Sequence, residues 1–306
     1  MKRTRSRVVL AVAIVAAGML AVPSVSHAQL DPAQVQISVH PVASGVWMLQ
    51  GAGGNIGVSA GDDGVFLVDD QYAPLTEKIL AAIRTVSERP VRFVVNTHWH
   101  GDHTGGNENL GKAGAVIVAH HNVRERMSTE QFMERFGETV PASPHAALPV
   151  ITFAEGVTFH LNGDTLEVVH LPAGHTDGDS AVIWEEADVI HAGDLFFNGM
   201  YPFIDLGSGG SIDGMIAAIE VLLERAGDGT RIVPGHGPLA TRADLAAYHA
   251  VLEGARARVA ALIAEGRSRE EVLAADPTAE WNEKWGGGFI DAEAFAGTIY
   301  DSLKGE

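Results

Sequence analysis

The sequence predicts a layered α/β sandwich. Three observations carry this: strands and helices alternate early and late in the chain, a tight-turn signal marks a hairpin midway, and short continuous apolar runs have the character of strands buried on both faces. Val65 to Val68 is the first such run. Leu75, Ile79, Ile83 and Val86 then recur at helical spacing, and Pro90 closes that helix. Val91 to Val95 and Ala115 to Ala119 are the next buried strands. Val157 to Leu161 and Leu166 to His170 flank Asn162-Gly163-Asp164, a strong hairpin signal. Ala181 to Trp184 and Val189 to His191 follow as two short strands. Ile212, Ile216, Ile219 and Leu223 mark a second helix, and Ile232-Val233 a final strand. Ala243 to Ala275 is rich in Ala, Leu, Glu and Arg and reads as one or two helices broken at Gly266. Met127 to Pro149 has no clean period and carries Pro141, Pro144 and Pro149. It reads equally as a mobile loop over a site or as a surface insertion.

The first 28 residues have the layout of a signal peptide. Lys2, Arg3, Arg5 and Arg7 form a basic start, Val8 to Val22 is apolar, and Ser26-His27-Ala28 places small residues at a cleavage site. The apolar run is shorter than the roughly 20 residues a spanning helix needs. Residues 29–306 are then one domain with C-terminal helices, destined for the periplasm or for secretion. Cleavage leaves 17 basic against 39 acidic residues, a formal charge of −22. Such a surface repels phosphates and anionic membranes, so neither nucleic acid nor a stable membrane partner is expected. The partner is a small-molecule substrate, and no pattern sets an oligomeric state. There is no cysteine, hence no disulfide, despite the oxidising destination.

The segment Thr97-His98-Trp99-His100-Gly101-Asp102-His103 puts three imidazoles and a carboxylate directly after the strand Val91 to Val95. No packing argument calls for that density. Neutral imidazole and carboxylate oxygen are the common zinc ligands when cysteine is absent. His98 and His100, two apart, can address one ion, and Asp102 and His103 lie on the other side of the turn, suited to a second. Gly101 is expected to permit a backbone path that a side chain would hinder. His175, Asp194 and His236 each follow a glycine near a strand end and are further candidate ligands.

Thr97 to His103, continued by Thr104-Gly105-Gly106-Asn107, resembles the signature of the metallo-β-lactamase superfamily. Gly174-His175-Thr176-Asp177-Gly178, Ala192-Gly193-Asp194 and Pro234-Gly235-His236-Gly237 follow in that family's order. The resemblance runs from about Ile37 to Pro238. It implies a single-domain, four-layer αββα sandwich with two Zn2+ ions (iron or manganese being possible) at one edge between two sheets. It implies one ion on His98, His100 and His175, a second on Asp102, His103 and His236, and Asp194 bridging both. Aspartate at 194 together with His103 is the seven-ligand set of glyoxalase II-like enzymes and lactonases. A cysteine-bearing β-lactamase subclass has, three residues further on, a lysine that grips the substrate carboxylate; here that residue is Phe197.

The function this implies is a zinc-dependent hydrolase in which a hydroxide shared by two metals opens a cyclic amide or ester, with Asp102 as the catalytic residue orienting it. Export favours a β-lactam; the alternatives are a lactone, ester or thioester, or an iron-dependent sulfur dioxygenase reaction on the same fold. A flavodiiron enzyme would place glutamate at His100. The charge and the leader argue against a nuclease, and an intact ligand set against a non-catalytic binding protein. Phe196, Phe197, Tyr201 and Phe203 are candidates for an apolar substrate wall, against a reading as plain core. Trp99 is expected to pack beneath its loop, Ser180 to serve a turn, and His120, His121 and His191 to support the ligands from behind or to be structural. Asn198 is a candidate electrophile.

Overall fold

The apolar runs form two sheets packed face to face. The computed structural model describes residues 31–305, and the segment read as a signal peptide lies outside the described residues. Pro32 to Glu306 group as one unit by internal contacts. One sheet has seven strands: Ser38–Ala43, Val46–Gln50, Ile56–Gly61, Gly64–Val68, Val91–Asn96, Val116–His120 and Ile151–Phe153, neighbours in that order. The other has six: Gly156–Leu161, Asp164–His170, Ser180–Trp184, Val189–Phe197, Arg231–His236 and Ala240–Thr241. Phe66, Val68, Val95 and Val118 of the first sheet meet Leu166, Val168, Val182, Trp184 and Val233 of the second in one dry layer. Burying each such side chain contributes roughly 1.5–3 kcal/mol.

Helices flank the sheets, consistent with the αββα sandwich that the resemblance implies. Ile212–Arg225 and Arg242–Ala264 pack on the six-stranded sheet through Met215, Ile219, Leu222, Leu245 and Leu252, and Ala292–Lys304 packs on these helices through Phe295 and Ile299. Their starts are written locally: Ser211 accepts from the Gly214 N–H, Thr241 and Asp244 form a reciprocal capping box, and Asp291 accepts from the Ala294 N–H. Gly266, in the left-handed region, ends the long helix near where the sequence breaks it, and Arg269–Ala274 follows. The expected hairpin is present, with Leu161 paired to Asp164 and both Asn162 and Gly163 at positive φ.

Several expectations change in detail. The helix Ile212–Arg225 buries Ile212, Met215, Ala218, Ile219 and Leu222, leaving Ile216 and Leu223 half-buried. The strand expected at Val189 to His191 runs on to Phe197, because Gly193 shifts the register without ending the pairing with Arg231–His236. Residues 127–149 are structured: Gln131–Met133 pairs with Glu138–Val140, and Met133 and Val140 pack on Trp99, Val123 and Met127. Among the described residues no helix is long and apolar enough to cross a membrane.

Candidate metal centre

Strand ends from both sheets converge at one edge of the sandwich. The first sheet delivers His98 and His100 on the turn after Val91–Asn96, then Asp102 and His103 on the helical turn Gly101–Thr104. The second delivers His175 from the loop before Ser180–Trp184, Asp194 from within Val189–Phe197, and His236 from the end of Arg231–His236. All seven candidate ligands are brought together. His98, His100 and His175 form one group able to hold an ion, Asp102, His103 and His236 another, and His98, His103 and Asp194 a group between them.

Hydrogen bonds at the back of each ring decide which nitrogen faces inward. The Thr97 hydroxyl donates to Asp69 at 2.8 Å, so it accepts from His98 Nδ1–H at 3.0 Å and leaves Nε2 facing the centre. His100 donates from Nε2 to Asp205 at 3.0 Å, and His175 from Nδ1 to the Phe203 carbonyl at 2.7 Å. Their other nitrogens, His100 Nδ1 and His175 Nε2, then lie 2.8 Å apart. His103 donates from Nδ1 to Asp69 at 2.7 Å, which frees its Nε2, 3.1 Å from Asp194 Oδ1 and 3.5 Å from Asp102. His236 Nε2 is 3.3 Å from Asp102 and 3.4 Å from Asp194. Asp194 Oδ2 is also 3.5 Å from His175 and 3.9 Å from His98. Asp194 therefore stands between the two imidazole groups.

The electrostatics divide the same way. Burial, reinforced by His103 and His175, holds His98 well below the usual histidine range. Burial lowers His175 to about 4. Both are neutral imidazoles, the form that ligates. On the other side burial opposes charge, but carboxylates outweigh it: Asp194, Asp102 and Asp69 hold His103 well above its ordinary value, and Asp194 and Asp102 lift His236 to about 9. Reciprocally, and again against burial, His103 and His236 hold Asp102 at about 2 and Asp194 well below the carboxylate range. Protons on His103 and His236 stand where a cation would neutralise the same carboxylates.

A direct test of fit lies in an unpartnered atom. His98 Nε2 is buried, faces the centre and makes no hydrogen bond, and Asp194 Oδ1, also buried, is left to the ring of His103, 3.1 Å away. A buried polar atom without a partner costs about 1–3 kcal/mol, which a divalent cation removes. The donor set, five imidazoles and two carboxylates, fits zinc and also admits iron or manganese. A separate grouping of Glu220, His249 and Glu253 is of another kind. His249 lies between the two carboxylates, 3.6 and 3.3 Å away, so each ring nitrogen already faces one.

Three positioning aspartates went unread in the sequence. Asp69, fully buried and at φ 65°, holds the Thr97 N–H, the Thr97 hydroxyl and His103. Its signal was available: two acids directly follow the buried run Val65 to Val68. Asp179 accepts from the backbone N–H groups of Gly174, His175 and Thr176 and from the Thr176 hydroxyl, fixing the loop that carries His175. Asp205 receives His100 and the Ser208 hydroxyl, which itself accepts from Trp99 Nε1. Nothing local in the sequence announces Asp205.

Other expectations sort plainly. Trp99 is buried beneath its loop. Gly101 needs no special freedom, since its φ is not positive and a Cβ there would meet nothing within 4 Å. The close approaches are elsewhere: a Cβ on Gly235 would lie 2.0 Å from Asp194 Oδ1, and one on Gly193, at φ 52°, 2.7 Å from Thr97 Cβ. His191 is buried, and its ring links the Asn55 carbonyl to the Gly193 N–H. His120 donates to the Ala154 carbonyl and stacks on His170, and the Ser180 hydroxyl donates to the Gly178 carbonyl. The Asn198 amide is committed to the Pro238 carbonyl, bracing the loop after His236. Of the four aromatics, Phe196 and Tyr201 are core, packed on Tyr248 and Phe295. Phe197 stacks on His236, and Phe203 lies against His100 and His175.

Known proteins agree with this geometry. Residues 50–236 match the model of the metallo-beta-lactamase superfamily. Among curated relatives, a hydroxyacylglutathione hydrolase of Polaromonas sp. is 27% identical over 161 residues, 52% of this chain and 53% of its own. An atrochrysone carboxyl ACP thioesterase of Aspergillus terreus is 28% identical over 151 residues, 49% of this chain and 40% of its own. The chain thus spans about half or less of these two relatives. A solved metallo-beta-lactamase from Pontibacter korlensis superposes with a TM-score of 0.59 at 24% identity, covering 71% of this chain and 99% of that one, which speaks for the fold. With the family model spanning well over half its length and four ordered motifs meeting at one centre, the chain belongs to the metallo-beta-lactamase superfamily.

Proposed function

We propose that this is an exported hydrolase that cleaves an activated ester or thioester, lactones included, with two divalent cations, zinc by donor chemistry. The observation that carries the reading is the convergence of seven donors with His98 Nε2 buried and unpartnered among them. In it, His98, His100 and His175 would hold one ion and Asp102, His103 and His236 the other, with Asp194 standing between the two groups. A cation pair so held supplies a water of lowered pKa and polarises a carbonyl oxygen.

The chain's own part is to aim and to manage protons. Asp69, Asp205 and the Phe203 carbonyl each fix the tautomer of a ligand ring, so the inward nitrogens are lone-pair donors. Asp102 is the one carboxylate of the cluster with substantial exposure, 22% of its side chain, and at about 2 it is ionised across the neutral range. Its Oδ2 is turned to the ring nitrogens of His103 and His236, so its other oxygen is the one that can orient the attacking water and take up its proton. No serine or cysteine nucleophile is required.

Two observations favour an ester or thioester over a β-lactam. Two of the relatives are named as a hydroxyacylglutathione hydrolase and a thioesterase. Phe197, stacked 5.3 Å from the His236 ring, also stands where the cysteine-bearing β-lactamases place their carboxylate-gripping lysine. The solved metallo-beta-lactamase keeps β-lactam cleavage as the second reading. The test is a panel of nitrocefin, a γ-lactone, a phenyl ester and an acyl thioester on protein of measured metal content. Ester or thioester turnover that vanishes on chelation and returns with zinc upholds the proposal. Turnover of nitrocefin alone replaces the substrate, and rates indifferent to metal removal overturn the mechanism.

A further inference from the structure

Three phenylalanines from separate parts of the chain meet beside the first group of histidines. Phe203 lies 5.7 Å from both the His100 and His175 rings. Phe136, at the tip of the hairpin Gln131–Val140, is 5.7 Å from Phe203, and Phe289, from the segment before the last helix, is 5.8 Å from Phe136 and 6.5 Å from Phe203. This is not a core cluster, because Phe289 is 62% exposed and Phe132, on the same hairpin, 61%. Such exposed rings gain little from folding in that state, and Phe289 reaches the ligand imidazoles only through half-buried Phe203, which touches both His100 and His175.

Apolar rings also face both groups of histidines. Arg126, on the helix leading to the hairpin, is held bidentately by Asp177. Phe197 sets another ring against the second group of histidines.

On the reading of the reaction given above, we propose that Phe136, Phe203 and Phe289 seat an extended apolar acyl chain, so that the preferred substrate is a neutral ester or lactone with a long hydrocarbon tail. The carbonyl would lie over the histidine cluster and the tail would run outward from Phe203 along the Phe136–Phe289 pair, which stays in contact. The hairpin is itself anchored, through Met133 and Val140, to the packing around Trp99 beneath the ligand loop.

The experiment uses the metal-loaded protein with p-nitrophenyl esters from acetate to decanoate, and isothermal titration with 2-tridecanone, a neutral ketone that cannot be hydrolysed. Full burial of a methylene corresponds to roughly fourfold in affinity, so kcat/KM is expected to rise about threefold per carbon from acetate to octanoate. Phe289→Ala and Phe136→Ala, checked for fold by circular dichroism, are expected to draw the octanoate-to-acetate ratio toward one and to weaken ketone binding at least tenfold. A flat chain-length profile in the wild type, or a profile unchanged in both variants, overturns the proposal. If no ester is hydrolysed, the reading of the reaction fails by itself and the ketone decides. Binding lost in the variants upholds the aromatic seat, and equal binding overturns it.

Discussion

Replacing Asp69 by asparagine separates the aiming of a ligand from its presence. The carboxylate is fully buried and serves three donors: the Thr97 N–H and the Thr97 hydroxyl, each at 2.8 Å, and His103 Nδ1 at 2.7 Å. Alanine would leave those donors empty at about 1–3 kcal/mol each, a large part of a typical stability of about 5–15 kcal/mol, and would put a Cβ residue without polar compensation at φ 65°. Asparagine keeps the shape and tolerates that φ. Its oxygen can face only one side. Facing the Thr97 N–H, its amide meets Thr97 Oγ1 and His103 Nδ1. The Thr97 hydroxyl can reverse to accept, and His103 can accept only by moving its proton to Nε2, the nitrogen aimed at the centre. Loss of such a supporting hydrogen bond typically costs 10–100-fold in metal affinity, about 1.4–2.7 kcal/mol. The assay is competition with a chromophoric chelator, with circular dichroism and a thermal melt as checks. A folded Asp69→Asn protein binding both equivalents of zinc within twofold of wild type would refute the argument.

Other outcomes follow from the same geometry. Asp102→Ala should lower turnover by about 10²–10⁴ while the melting temperature stays near wild type, read by kinetics at saturating metal. Asp179→Ala strands the N–H groups of Gly174, His175 and Thr176 in a buried loop. At a total loss of about 3 kcal/mol or more it should lower the melting temperature by roughly 6–12 °C, seen by calorimetry. For the metal-free protein, His236 is raised to about 9 by Asp194 and Asp102. Its contribution to stability is complete below the ordinary histidine value and disappears as pH rises through about 9. Zinc affinity should climb across that window and proton release on binding should shrink, both measurable by titration in buffers of differing ionisation enthalpy.

The sequence makes the ligands legible because chemistry concentrates them, whereas their supports are scattered. His98 to His103 crowd one loop, and His175, Asp194 and His236 each carry a glycine marker. Asp205 is one acid among many until the chain folds and brings His100 to it. Packing phase was also only partly readable. The helix Ile212–Arg225 is apolar over more than one face because it meets both the sheet and neighbouring helices, so Ile216 and Leu223 read as equals of Met215 and Leu222. The strand through Gly193 looked finished at His191, since a glycine–aspartate pair ordinarily ends a strand; here it shifts the register and turns Asp194 into the centre. The first three strands, Ser38–Ala43 to Ile56–Gly61, escaped notice because Pro41, Gly45 and Gly51 interrupt their apolar pattern.

The donors are divided between the two sheets, four on one and three on the other. A cation pair seated among them would work as a rivet through two plates. It cannot be captured before the plates have met, so uptake would report the closing step of assembly and appear last in refolding. Once seated, it would resist any sliding of one plate across the other, and a chelator would loosen the molecule along that seam before it melted anything else.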